Sequence, residues 1–282
     1  ENYFNLDTKF KVAHYFEAGT PYLHMINLKE LPSFQLSYEF QPVEFVEVQL
    51  NIAEMIPYNF CSLATPSGKI FLCGGCENSR VFNNLYEVDF EQQTLVDKSP
   101  MLTRRCLHGI CMIGQDYIVV AGGCNTEVPK LDSCEVYNIK EDSWNYIAKL
   151  NKPCESPSLC NFSDKYIYKI GGVNDNTIER YTIEKDIWEI VPLAFNLQIG
   201  DCCESIQINS NNILIFGGPQ GKSDQCLLLS VFEDEEKVYE ELRNLEQIKL
   251  PEKFYFNTQK SALVFDKTVY AIESGNQNLI CY

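Results

Sequence analysis

Basic residues and histidine are scarce in this chain. It holds five arginines, three histidines and 23 Lys plus Arg against 39 Asp plus Glu, for a net charge of −16. Phosphate recognition needs clustered cations, so nucleic acid is excluded as a partner and anionic membrane surfaces are disfavoured. No apolar run reaches the roughly 18 residues that a spanning helix requires, which argues against membrane insertion. No apolar leader with a basic start is visible, and a start on Glu1 reads as an internal segment or a partly resolved protein. The acidity points to solubility and to neutral or basic partners. Thirteen cysteines form an odd set without the spacing of a disulfide framework, and are expected as reduced, small apolar filler in a cytoplasmic protein. Cys73-Gly74-Gly75-Cys76 has CxxC spacing but lacks a second pair or nearby histidines, so no metal is expected there.

What the chain has is a repeat. Ile70-Phe71-Leu72-Cys73-Gly74-Gly75, Ile118-Val119-Val120-Ala121-Gly122-Gly123, Ile167-Tyr168-Lys169-Ile170-Gly171-Gly172 and Ile213-Leu214-Ile215-Phe216-Gly217-Gly218 place paired glycines 48, 49 and 46 residues apart. Weaker copies stand at Ala18-Gly19 and Ser274-Gly275, 56 residues before Gly74 and 57 after Gly217 respectively. A period near 50 residues marks units that cannot bury their own apolar faces and must stack on neighbours. Downstream of the glycines, Tyr137 stands seven residues before Trp144, and Tyr181 seven before Trp188. Val88 and Leu95 take these positions in the second unit, and Phe232 and Tyr239 are read in them in the fifth.

This series of Gly-Gly, Tyr and Trp resembles the kelch repeat. The resemblance implies an all-β, six-bladed β-propeller with four antiparallel strands per blade, folded as a single domain over 1–282. Approximate blades are 1–56, 57–100, 101–151, 152–196, 197–253 and 254–282. In the third, strands are predicted near Gly109–Met112, Tyr117–Ala121, Ser133–Asn138 and Trp144–Ala148. In the fourth they are predicted near Ser158–Asn161, Tyr166–Ile170, Thr177–Thr182 and Trp188–Pro192. Two insertions are expected. Pro42 to Pro57, with Val46, Val48 and Leu50 in alternation, reads as an extended outer strand. Glu233 to Leu250 reads either as an outer strand with an irregular loop or as an amphipathic helix projecting from the rim. The sixth blade runs out at Tyr282 after three strands, and Tyr3–Leu6 reads as the innermost strand of blade one. The missing strand is therefore expected either from a continuation of the chain beyond Tyr282 or from elsewhere, with residues outside the chain as the source.

Catalysis finds no support in the residues. His14, His24 and His108 are dispersed, as are Arg80, Arg104, Arg105, Arg180 and Arg243, so neither a copper centre nor a sialidase-type arginine cluster can be assembled. No Gly-x-Ser-x-Gly elbow or phosphate loop occurs. A carbohydrate-active propeller enzyme is the remote alternative, and no cofactor is expected. Binding is the default, through loops converging on one face around the channel. Aligned on the glycines, Tyr58-Asn59, Arg104-Arg105, Glu155, Asp201 and Asn257 lead into blades, while Arg80, Asn174 and Lys222 lie in loops between second and third strands. These ten residues form the candidate protein-binding face, with Tyr58, Arg104 and Arg105 foremost because Tyr and Arg dominate interface hot spots. Pro100–Gly109 looks like the segment leading into a blade of BTB–kelch adaptors of cullin ubiquitin ligases, in which such arginines often recognise acidic motifs. The leading reading is a non-catalytic scaffold or assembly subunit of a larger complex, including a cytoskeletal one. The alternative is a substrate-recognition propeller of such an adaptor.

Overall fold

The computed structural model describes residues 12–28, 41–42, 44–193, 199, 203–217, 226–234, 237–245, 262–265, 268–272 and 278–281. Among them, six antiparallel sheets of three or four strands follow one another along the chain, as in propeller blades. The third comprises Gly109–Ile113, Tyr117–Ala121, Cys134–Asn138 and Ser143–Ile147, in that order. The fourth comprises Ser158–Phe162, Tyr166–Ile170, Ile178–Thr182 and Ile187–Ile190. Both match the predicted strands to within one or two residues.

Second strands read as near-continuous apolar runs because both of their faces are covered. Ile118 and Val120 pack with Leu63, Phe71 and Leu85 of the preceding sheet. Val119 and Ala121 pack with Leu159, Ile167 and Tyr181 of the following one. The same alternation repeats at each junction, so the hydrophobic core lies between sheets. The last such cluster joins Tyr270 and Ile272 of the sixth sheet to Ala13 and Ile26 of the first.

The glycine pairs stand where sheets approach most closely. Gly122 has φ +66°, and a Cβ there would lie 2.8 Å from the Cys154 carbonyl oxygen. Gly74 has φ +65°, and its Cβ would fall 2.4 Å from the Arg105 carbonyl oxygen. Only glycine meets both conditions.

The tyrosine–tryptophan pairs are buried between sheets, and a second set of bonds accompanies them. Tyr137 Oη donates to Asp142 Oδ1 at 2.6 Å. The same oxygen accepts from Ser99 N at 2.9 Å, and Trp144 Nε1 donates to Ser99 O at 2.7 Å. In the fourth sheet Tyr181 donates to Asp186, Ala148 N donates to the same Asp186 oxygen, and Trp188 Nε1 donates to Ala148 O. Each preceding outer strand is thus held by both backbone groups of one residue.

Three expectations are corrected or completed. In the fifth sheet, Ile213 pairs with Leu229, and Leu229 with Leu242. Leu229 and Leu242 are buried there, so they, and not Phe232 and Tyr239, hold the interior positions. The residue count fails because this sheet's outer hairpin is longer, with third and fourth strands Cys226–Glu233 and Val238–Asn244. That fourth strand also replaces the projecting amphipathic helix: Val238 and Leu242 face the core as alternate strand residues. Finally, the sixth sheet takes its fourth strand from Gln41–Pro42, which pairs with Asn278–Cys281. Closure comes from the first insertion, not from outside the chain, while Val46–Gln49 is the outer strand expected beside it. Tyr3–Leu6 and Ser274-Gly275 lie outside the described residues.

Gly122→Val is expected to cost more than about 2 kcal/mol of stability in urea denaturation. Trp144→Ala is expected to cost about 3–5 kcal/mol. Near-neutral effects would contradict the assigned turn and the buried indole respectively.

Candidate protein-interaction face

The segments leading into the second, third and fourth sheets lie side by side. Leu107 N donates to Asn59 O at 2.9 Å, and Ser156 N donates to Leu107 O at 2.7 Å. Asn59, Leu107 and Ser156 share a left-handed backbone, at φ 54°, 52° and 53°. A leucine in that region is held there by its surroundings. The loops after the glycine pairs meet these segments through short bridges, Tyr58 with Cys76 and Cys106 with Cys124. Further contacts run from Asn125 Nδ2 to Arg104 O at 3.1 Å and from Val173 N to Glu155 O at 2.7 Å. Loops from three sheets therefore share one face.

On that face Tyr58 is 54 % exposed, Asn59, Arg80, Arg104 and Asn174 are exposed, and Glu155 is half-buried. Asp201, Lys222 and Asn257 lie outside the described residues. Arg105 does not belong with them, because its side chain is 0 % exposed. Its guanidinium donates to Gly122 O, Ser133 O, Ser133 Oγ and Glu135 Oε1, the last at 2.6 Å. The expected alignment was two residues out. Cys106, not Arg104, occupies the position of Tyr58, and the Arg105 carbonyl accepts from Gly75 N just as the Cys154 carbonyl accepts from Gly123 N.

Glu135 is the partner that sequence reasoning missed. Besides Arg105, its carboxylate accepts from Leu102 N at 2.6 Å and Thr103 N at 3.0 Å. Glu179 repeats the role for Asn151 N at 2.8 Å and Lys152 N at 3.1 Å. Each glutamate stands two residues before the repeat tyrosine, and each clamp aspartate five residues after it. The shared spacing of Glu135, Tyr137, Asp142 and Trp144 with Glu179, Tyr181, Asp186 and Trp188 was the available signal.

The remaining polar chemistry is quiet. Burial pushes His14 down to about 4, and burial with the nearby Arg105 lowers His108, so both rings are neutral at pH 7. Burial raises the thiols of Cys73, Cys134 and Cys154 to about 12, which keeps them protonated and poorly nucleophilic. Cys106 and Cys124 face each other with sulfurs 3.5 Å apart, and burial raises both. Among the described residues no three His, Cys, Asp or Glu side chains are placed to share a metal ion, and no helix is long and apolar enough to cross a membrane.

Comparison with known proteins matches the Kelch motif family to residues 104–151. Kelch repeat and BTB domain-containing protein 2 of Ectromelia virus (strain Moscow) is 26% identical over 202 residues, covering 64% of this chain and 34% of that protein. F-box/kelch-repeat protein SKIP11 of Arabidopsis thaliana is 29% identical over 38% of this chain and 26% of its own length. Kelch-like protein 41 of Homo sapiens is 26% identical over 44% of this chain and 22% of its own. The chain spans about a third or less of each of these relatives.

Arg105→Ala is expected to cost about 3–5 kcal/mol, because it strands Glu135 as a buried unpaired charge. Arg104→Ala is expected to leave the denaturation midpoint unchanged. Equal behaviour of the two variants would contradict the opposite placement of their side chains.

Proposed function

We propose that this kelch-repeat protein is a non-catalytic protein-binding module, working through the loop face as a docking subunit of a larger assembly. The observation that carries the reading is the contrast within that face. A chain of backbone hydrogen bonds from Asn59 through Leu107 to Ser156 ties the lead-in segments of three sheets together. Above it Tyr58, Arg80, Arg104 and Asn174 remain exposed. Rigid loops presenting aromatic and cationic side chains bind with little ordering cost. The quiet histidines and raised thiols supply no general base or nucleophile of the kind catalysis uses. The mixed charge of the rim, with Glu155 on the same face as Arg104 and Tyr58, suits partner-specific docking more than capture of one acidic motif.

A second reading is a substrate-recognition propeller of a cullin ubiquitin ligase adaptor. Relatives named for BTB or F-box domains alongside kelch repeats favour it. The burial of Arg105 weakens it, since one arginine, not two, is offered at the third blade.

Affinity purification of the full-length protein, with mass spectrometry of co-purifying subunits, separates the readings. The docking subunit is expected to bring down stoichiometric structural proteins, and Tyr58→Ala with Arg104→Ala is expected to release them while leaving stability intact. Recovery of cullin and ubiquitin machinery would instead establish the adaptor.

A further inference from the structure

Among the described cysteines one pair stands apart. Cys106 and Cys124 are direct partners in an antiparallel bridge, with Cys106 N donating to Cys124 O at 3.0 Å and Cys124 N to Cys106 O at 2.9 Å. Residues facing each other across such a hydrogen-bonded pair hold their Cα atoms about 5.5 Å apart, a separation that suits a disulfide. The side chains also turn toward each other. Both thiols are free, and their sulfurs lie 3.5 Å apart. Rotation about the Cα–Cβ bonds brings them toward the S–S length of about 2 Å.

The neighbouring thiols lack one or another of these features. Cys61 and Cys73 are also cross-strand partners, but both are fully buried. Their sulfurs are engaged by His108, Cys61 with its carbonyl at 2.7 Å and Cys73 with Nε2 at 3.2 Å. Cys134 and Cys154 are sealed in the core. Cys76 is half-buried and near both sulfurs, yet it faces Tyr58 across its own bridge and accepts from Asn59 Nδ2 at 3.5 Å. Cys124 is half-buried at the loop face, where adjacent Asn125 bonds to the Arg104 carbonyl. Solvent therefore meets the pair at Cys124, with Cys106 buried behind it.

We infer that Cys106 and Cys124 form a redox-active dithiol, a modification site that a hydroperoxide closes to a reversible disulfide. The Cys124 sulfur attacks the peroxide. An S–O bond forms, the O–O bond breaks, and the displaced oxygen leaves as water or an alcohol carrying the thiol proton. The Cys106 sulfur then attacks the resulting sulfenic acid. An S–S bond forms, the S–O bond breaks, and the hydroxyl leaves as water with the Cys106 proton. Two thiols are oxidised and one hydroperoxide is reduced. Burial raises both thiols, so thiolate is scarce at pH 7 and the reaction is slow and stoichiometric. The nearness of the second sulfur lets the disulfide form ahead of further oxidation at Cys124. The bond fastens the segment leading into the third sheet to the loop after its glycine pair, two stretches already bridged by their backbones.

The test treats the reduced protein with hydrogen peroxide, blocks the remaining thiols with N-ethylmaleimide in urea, and maps chymotryptic peptides by mass spectrometry. Cleavage after Leu107 and Tyr117 separates Cys106 from Cys111 and from Cys124. The peptides carrying Cys106 and Cys124 are expected to emerge linked and to part on treatment with dithiothreitol. Their free thiols are expected to disappear about tenfold faster, or more, than those of Cys73, Cys134 and Cys154. In Cys106→Ser, dimedone is expected to capture a sulfenic acid at Cys124, because its partner sulfur is gone. The wild-type map needs no variant, so the inference stays testable even if that variant unfolds. Linkage of Cys76 to either sulfur, linkage that forms only when urea is present during oxidation, or sulfinic acid at Cys124 without linkage would overturn it.

Discussion

The backbones of neighbouring sheets cross at the glycine pairs with no room for a side chain, and the rest of the architecture follows from that approach. At Gly74 and Gly122 the chain is left-handed and in contact with carbonyls of the segment leading into the next sheet. The second glycine of each pair donates its N–H there, Gly75 to Arg105 and Gly123 to Cys154. This brings consecutive sheets close enough for their second strands to be buried on both faces. It also sets one end of every inter-sheet cluster, and it delivers the loops after the glycines to the face where the lead-in segments meet.

A second system of contacts closes the other dimension. The clamps at Asp142 and Asp186 tie each outer strand to the sheet before it, and Glu135 and Glu179 seat the backbone of each lead-in segment. Glu135 and Glu179 are buried polar groups whose bonds are made, and such groups specify one arrangement as much as they stabilise it. Arg105 belongs to this system. Its charge serves the interior, so two adjacent arginines with the same apparent promise divide into one structural and one exposed residue.

Much of this was legible in the residues. The glycine period, the tyrosine–tryptophan spacing and the apolar second strands located the sheets, because each is a local consequence of the stacking. The strands of the third and fourth sheets fell where expected. Errors arose where a count of residues was carried across a segment of changed length. The fifth sheet's hairpin displaced the aromatic alignment by three residues, from Leu229 to Phe232. A two-residue slip placed Arg104 opposite Tyr58, where the structure places Cys106. The strand exchange at Gln41–Pro42 pairs positions far apart in sequence, and nothing local announces it. Side-chain direction is likewise invisible in a sequence. Arg104 and Arg105 differ only in which way alternate residues point.

The molecule thus presents a rigid interior and a variable exterior, and its capacity for binding resides in what the repeat does not constrain. Hydrogen–deuterium exchange of the protein alone and with a co-purified partner is the most direct measurement of that claim. Protection gained at residues 58–59, 76–80, 104–107, 124–127 and 173–176 is the result this account expects, with the strands between them unchanged. Protection confined to the turns at the far ends of the sheets, with these segments exchanging as before, would contradict it.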